Sequence, residues 1–136
     1  MSYAMSAALQ QAVFLRLEAD GALAGLVGGN IFDSAPQGTV PDLYLSIGPE
    51  DVRDRSDGTG GGAVHDFTVS VVTTETGFAA AKTAAAAVSD ALVDAPLSLT
   101  RGRLVSLLFL RARARRVDRS TRRQIDLRFR ARLEDD

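Results

Sequence analysis

Apolar side chains near the start of the chain recur at three- and four-residue spacing. Leu9, Ala12, Val13 and Leu17 fall on one side, while Gln10, Arg16 and Glu18 face elsewhere. This predicts an amphipathic helix from Ser6 to about Ala19, with Ser6 as its cap. Asp20-Gly21 allows a break, and a short helical turn through Leu23, Leu26 and Val27 is ended by Gly28-Gly29-Asn30, residues that tolerate positive φ. Ile31-Phe32 adds a brief extended piece, and SAPQGTVPD, with two prolines and a glycine, reads as loop.

The period then changes from four to two. LYLSIG (43–48) reads as a strand bounded by Pro41 and Pro49. The polar stretch that follows, with four glycines between 58 and 62, reads as a flexible loop over about 49–64. HDFTVSVVTTE (65–75) alternates, with Phe67, Val69 and Val71 on one face and Asp66, Thr68 and Ser70 on the other. An alanine-rich helix follows, capped by Thr76 and stopped by Pro96, with Phe78, Ala81, Ala85, Val88 and Leu92 as its stripe.

Two long strands close the chain. Strict alternation over 103–116 puts Leu104, Leu108, Leu110, Ala112 and Ala114 on one face, and Val105, Leu107, Phe109, Arg111, Arg113 and Arg115 on the other. Over about 122–133, Ile125, Leu127, Phe129, Ala131 and Leu133 point inward, and Arg128, Arg130 and Arg132 outward. VDRSTR is the turn between them. The order helix, strand, loop, strand, helix, strand, strand predicts an α+β fold: an antiparallel or mixed sheet with two main helices packed on one face. One domain spanning 1–136 is the default at this length. The first half of the penultimate strand is apolar on both faces, so either a helix covers each side or one side meets another subunit.

Charge sharpens this picture. The net charge of −1 hides a division: residues 1–100 hold 4 basic and 12 acidic residues, and residues 101–136 hold 12 and 5. The halves sum to −8 and +7, and would attract each other or the opposite halves of other copies. Cysteine is absent, which excludes disulfides, thiolate metal sites and a cysteine nucleophile. No run approaches a membrane span, no signal peptide is read, and the chain is expected to be soluble.

Candidate chemistry is sparse. His65 is the one histidine; nothing in the spacing supplies a second ligand or a nucleophile, and it reads as a surface or strand-edge residue. SDGTGGGAV leads into a strand and has no lysine, unlike a phosphate cradle. Glu50, Asp51, Asp54 and Asp57 lack the calcium-loop pattern. No catalytic, cofactor-binding or metal site is expected. The arginines remain. Arg111, Arg113 and Arg115 beside Arg128, Arg130 and Arg132 predict one basic face, able to contact phosphates without sequence preference. No exposed aromatic is interleaved to stack bases, so acids of the same chain or of a neighbouring copy are an alternative partner.

The layout as a whole is similar to a known family. The opening SAALQQAVFLRLEADGALAGLVGGNIFDSAP, the PDLYLSIGPEDVRDRSD strand and loop, HDFTVSVVTTETG, the alanine-rich helix and the closing LVSLLFLRARARRVDRSTRRQIDLRFRARLE resemble the tail-completion, or tail terminator, proteins of long-tailed phages and phage-like gene transfer agents. The resemblance implies a structural virion protein and no enzyme. It implies a ring, commonly of six copies, that caps the head-proximal end of the tail tube, with the tube protein, the head-side connector and passing DNA as partners and no membrane. Assembly would take place in the bacterial cytoplasm. In this reading the six arginines face a neighbouring subunit or the channel, and Glu50, Asp51, Arg53, Asp54, Arg55 and Asp57 form a docking loop. The competing expectation is a small nucleic-acid-binding module using the arginine hairpin.

Overall fold

A computed structural model describes residues 3–33, 38–56, 58, 60–117 and 122–135. The helices are α1 (Ser6–Ala19), α2 (Gly21–Val27) and α3 (Ala79–Leu92), and the strands are β1 (Ile31–Phe32), β2 (Leu43–Asp54), β3 (Gly62–Thr73), β4 (Arg103–Arg116) and β5 (Arg123–Glu134). One mixed sheet runs in the order β1-β2-β3-β5-β4, parallel only between β1 and β2.

The fold is α+β, with the helices on one face as the periodicities predict. Burial explains why: Leu9, Val13 and Leu17 of α1, and Ala81, Ala84 and Val88 of α3, share one core with Val69, Val71, Leu127 and Phe129 of the sheet. Small side chains let α3 lie close against the sheet. Arg16 Nε donates to the Ala91 carbonyl at 2.9 Å, tying α1 to α3. Caps follow the expectation less closely. Asp20 caps α2, its carboxylate accepting from the Leu23 amide at 3.0 Å. By contrast, Met5 and Phe78 precede α1 and α3 with no side-chain cap, so neither Ser6 nor Thr76 acts as one.

Three β-bulges correct the predicted strands. In β2 the register slips between Ile47 and Glu50, so Gly48 and Pro49 together face Thr68 and the strand continues to Asp54. Gly48 has φ 134°, a conformation that favours glycine. Pro49 lacks an N–H and is tolerated where the ladder is already interrupted. The expected flexible loop over 49–64 therefore shrinks to the connection after Asp54, closed by the Arg55 amide on the Gly62 carbonyl at 2.8 Å.

In β4, Val105 and Leu110 are the extra residues. Each bulge reverses the alternation. Leu104, Leu107, Phe109, Ala112 and Ala114 consequently pair with the inward residues of β5, while Leu108 shares the outer face with Arg111, Arg113 and Arg115. Phe109 thus leaves the arginine face and stands edge-on to Phe129, ring centroids 5.9 Å apart. The helical layer covers β4 only in part: Leu107 is buried, but Phe109, on the same side, remains 43% exposed, and Leu108 on the outer face is exposed as well. Of the closing turn, 118–121 lie outside the described residues.

Candidate functional site

Two surfaces carry the chemistry. On the sheet face away from the helices, β3, β5 and β4 contribute rows of polar side chains. All six arginines expected to share a face do so, because each pairs across the ladder with an outward residue.

Part of that face is neutralised. Asp66 accepts two hydrogen bonds from Arg130, 2.8 and 2.9 Å, with Arg53 at 3.8 Å. Arg130 bonding, reinforced by the charges of Arg53 and Arg128, holds the Asp66 carboxyl below its ordinary value although burial opposes this. Burial likewise pushes Asp126 up, but Gln124, Ser70 and Arg115 bond its carboxylate and the net direction is down. Among the described residues no carboxylate bonds Arg111 or Arg113. They border a shallow cavity of about 290 Å³ that also touches Arg128 and Asp126.

The second surface lies at the opposite edge of the sheet. Here α1 stands off β1 and β2, leaving a groove of about 670 Å³ walled by Ala7, Phe14, Phe32 and Ile47 and rimmed by Asp33 and Glu50. Glu50 lies in β2 instead of the expected loop. After the bulge it points to the helix side, where the Tyr3 hydroxyl and the Ser6 hydroxyl, the latter at 2.6 Å, both donate to its Oε1. The remaining residues expected in that loop are dispersed. Asp51, Arg53 and Asp54 belong to β2, Arg55 begins the connection, and Asp57 lies outside the described residues. The groove was invisible to sequence reasoning, since it is built by residues more than forty positions apart.

His65 is also corrected. It is fully buried in β3 and shares the inward parity of Phe67, Val69 and Val71. Neither ring nitrogen has a hydrogen-bond partner, and Nδ1 lies 4.0 Å from Glu50 Oε2. Burial pulls its pKa below the ordinary value, with Glu50 opposing. Since the unfolded chain binds this proton more readily, His65 contributes stability above about pH 6.5 that is lost as pH falls towards the depressed folded pKa. Urea midpoints measured across pH should show this loss, at most about 1.4 kcal/mol per pH unit. His65→Leu should flatten that window and keep the separate acid loss below about pH 4 from Asp66 and Asp126. An unchanged slope in His65→Leu would show that another group titrates.

Among the described residues of these surfaces no nucleophile, base and oxyanion donor are brought together. Among the described residues no cluster of His, Asp and Glu could hold a metal, and no helix is long and apolar enough to cross a membrane. What the surfaces offer is a charged sheet face, a partly exposed apolar stretch of β4 and a groove of mixed lining.

Comparison with known proteins identifies the class: a structural component of a phage-like tail. Residues 11–134 match the family described as tail completion protein gp17, and the chain belongs to that family. Among solved structures it is similar to a chain from the virion of a native gene transfer agent particle. The two share 61% sequence identity with a TM-score of 0.93, covering 98% of this chain and 99% of the other. No curated protein matches.

Proposed function

We propose that the protein is a tail terminator of a gene transfer agent or related phage-like particle: copies form a ring that caps the head-proximal end of the tail tube and joins it to the head-side connector. The observation that carries this reading is the near full-length likeness to a chain of a native gene transfer agent virion, together with membership of the tail completion family. The divided charge, the uncovered β4 edge and the groove at the opposite end of the sheet support it, because head-to-tail contacts place different patches of one surface against each other and close into a ring when the rotation allows. A six-fold copy number follows from the family resemblance.

In such a ring the helices face outward and the open sheet face lines the channel. Arg115, Arg128, Arg130 and Arg132 then face passing DNA, whose phosphates they contact without reading sequence, while Arg111 and Arg113, next to the apolar stretch of edge strand β4, face a neighbouring subunit. Asp66 and Asp126 moderate the positive charge, so that DNA is guided without being held tightly.

The test is tube assembly in vitro. Adding the purified protein to polymerising tube protein should shorten the tubes and leave an extra density at one end only, seen by negative-stain microscopy. Tubes of unchanged length with both ends bare would overturn the proposal. Steeply salt-dependent DNA binding by the free chain, lost on replacing Arg111, Arg113 and Arg128, would then favour a nucleic-acid-binding module.

A further inference from the structure

We infer that the subunit seam is formed by the apolar bulge of β4, residues Leu108 to Leu110, entering the groove between α1 and the β1–β2 edge of a second copy. This rests on the ring reading above and specifies which surfaces meet.

Four observations converge. The first is an uncovered strand edge. The Asp94 amide occupies the Leu107 carbonyl at 3.3 Å, and among the described residues no further backbone bond reaches the outer edge from there to Arg116. Long exposed edges template pairing with another chain unless something covers them. Beside this edge, Val105, Leu108, Phe109 and Leu110 are four of the seven exposed large apolar side chains among the described residues, a concentration that marks an interface. Second, the groove offers apolar walls at Ala7, Phe14, Phe32 and Ile47, beside the polar side chains of Gln10 and Gln11.

Third, the charges match. Arg111 and Arg113 follow the apolar knob directly on the face away from the helices, and Asp33 borders both the groove and a cavity of that same face beside Ser70 and Gln124. Packing the knob inside would bring unlike charges together around its border, the arrangement expected of an interface with an apolar centre and a polar rim. It also discriminates against the alternative of two knobs meeting face to face, which would oppose arginine to arginine.

Fourth, knob and groove lie level with each other across the sheet. Glu50 pairs with Phe67, Phe67 with Phe129, and Phe129 with Phe109. The next inward row runs from Ile47 through Val69 and Leu127 to Ala112. A cyclic contact joins two different patches at one height along its axis, whereas patches at different heights generate a helix. Because the two sites occupy opposite ends of the same cross-sheet rows, each copy presents one of each, and a closed ring uses all of them.

The native chain has no cysteine, which makes thiol cross-linking a clean probe. Ala7→Cys and Leu110→Cys are combined in one chain and treated with a short bismaleimide, both in solution and in assembled particles. Both positions are exposed, and Leu110 has no partner in the ladder, so neither change disturbs the core. A ladder of dimers, trimers and higher species is expected from the double variant, and none from either single variant. Separately, Leu110→Asp and Ala7→Trp should each weaken association by about tenfold or more. Mixed, they should recover a species of two chains and no larger, because each retains one half of the seam.

A native protein that associates while the double variant gives no ladder and Leu110→Asp still associates would overturn the seam and leave the ring intact. A native protein that never associates, alone or on tubes, with no ladder in particles, would overturn both.

Discussion

Phe129→Ala should remove about 3–5 kcal/mol of folding stability, the cost of deleting a buried aromatic ring and leaving a cavity. Phe129 is fully buried at the centre of β5. It stacks on Phe67 with centroids 5.6 Å apart and receives the edge of Phe109 at 5.9 Å. These three rings occupy one row across β3, β5 and β4, so losing the middle one loosens both neighbours. Domains of this size are stable by about 5–15 kcal/mol, and the variant therefore approaches unfolding at ambient temperature. Urea denaturation at a fixed protein concentration should show a large fall in midpoint with little change in slope. A shift below about 1 kcal/mol would mean that the core refills the space and that the stacked row contributes little.

Gly102→Ala should be the second most damaging single change, at about 2–4 kcal/mol. Gly102 has φ 75°, which a side chain makes costly, and an added Cβ would lie 2.7 Å from the Glu134 carbonyl oxygen and press on Met5 Sδ. Neither obstacle yields easily: one is backbone of β5, and the other belongs to a side chain buried at the start of α1. A parallel Gly25→Ala variant meets nothing within 4 Å and, being in a helix, should be neutral or slightly stabilising. Thermal melts of the pair separate local crowding from a general intolerance of alanine; equal midpoints would refute the assignment to crowding.

Much of the architecture was legible because most elements bury one face, and burial imposes a period. Leu9, Val13 and Leu17 announced α1, and Ile125, Leu127 and Phe129 announced the inward face of β5. Both stand in the structure as the pattern predicts. The failures share a physical origin. A period of two carries no mark of an inserted residue, so Val105 and Leu110 silently exchanged the faces of β4, and Pro49 resembled a strand end when it was the tolerated member of a bulge. His65 was legible and was passed over: it lies two residues before Phe67 in an alternating strand, and its parity alone places it inside.

The surfaces divide in the same way. The six arginines could be placed on one face because hairpin strands pair locally in sequence. The groove could not, since Tyr3 and Ser6 meet Glu50 only after the chain has folded back across more than forty residues. Nor does the sequence show that Asp66, far from the hairpin, would neutralise Arg130.

The β4 bulges also bear on how the chain tolerates edits of its length. Deleting one residue from a strand is ordinarily among the harshest changes available, because every side chain beyond the cut moves to the opposite face. At Leu110 the reverse holds. Phe109 and Arg111 already face the adjacent residues Phe129 and Arg128, so excising Leu110 would restore an unbroken ladder from Ser106 to Arg116 and leave every other pair in place. The shortened chain would keep its fold and lose one apolar contact, which makes a deletion a gentler instrument here than many substitutions.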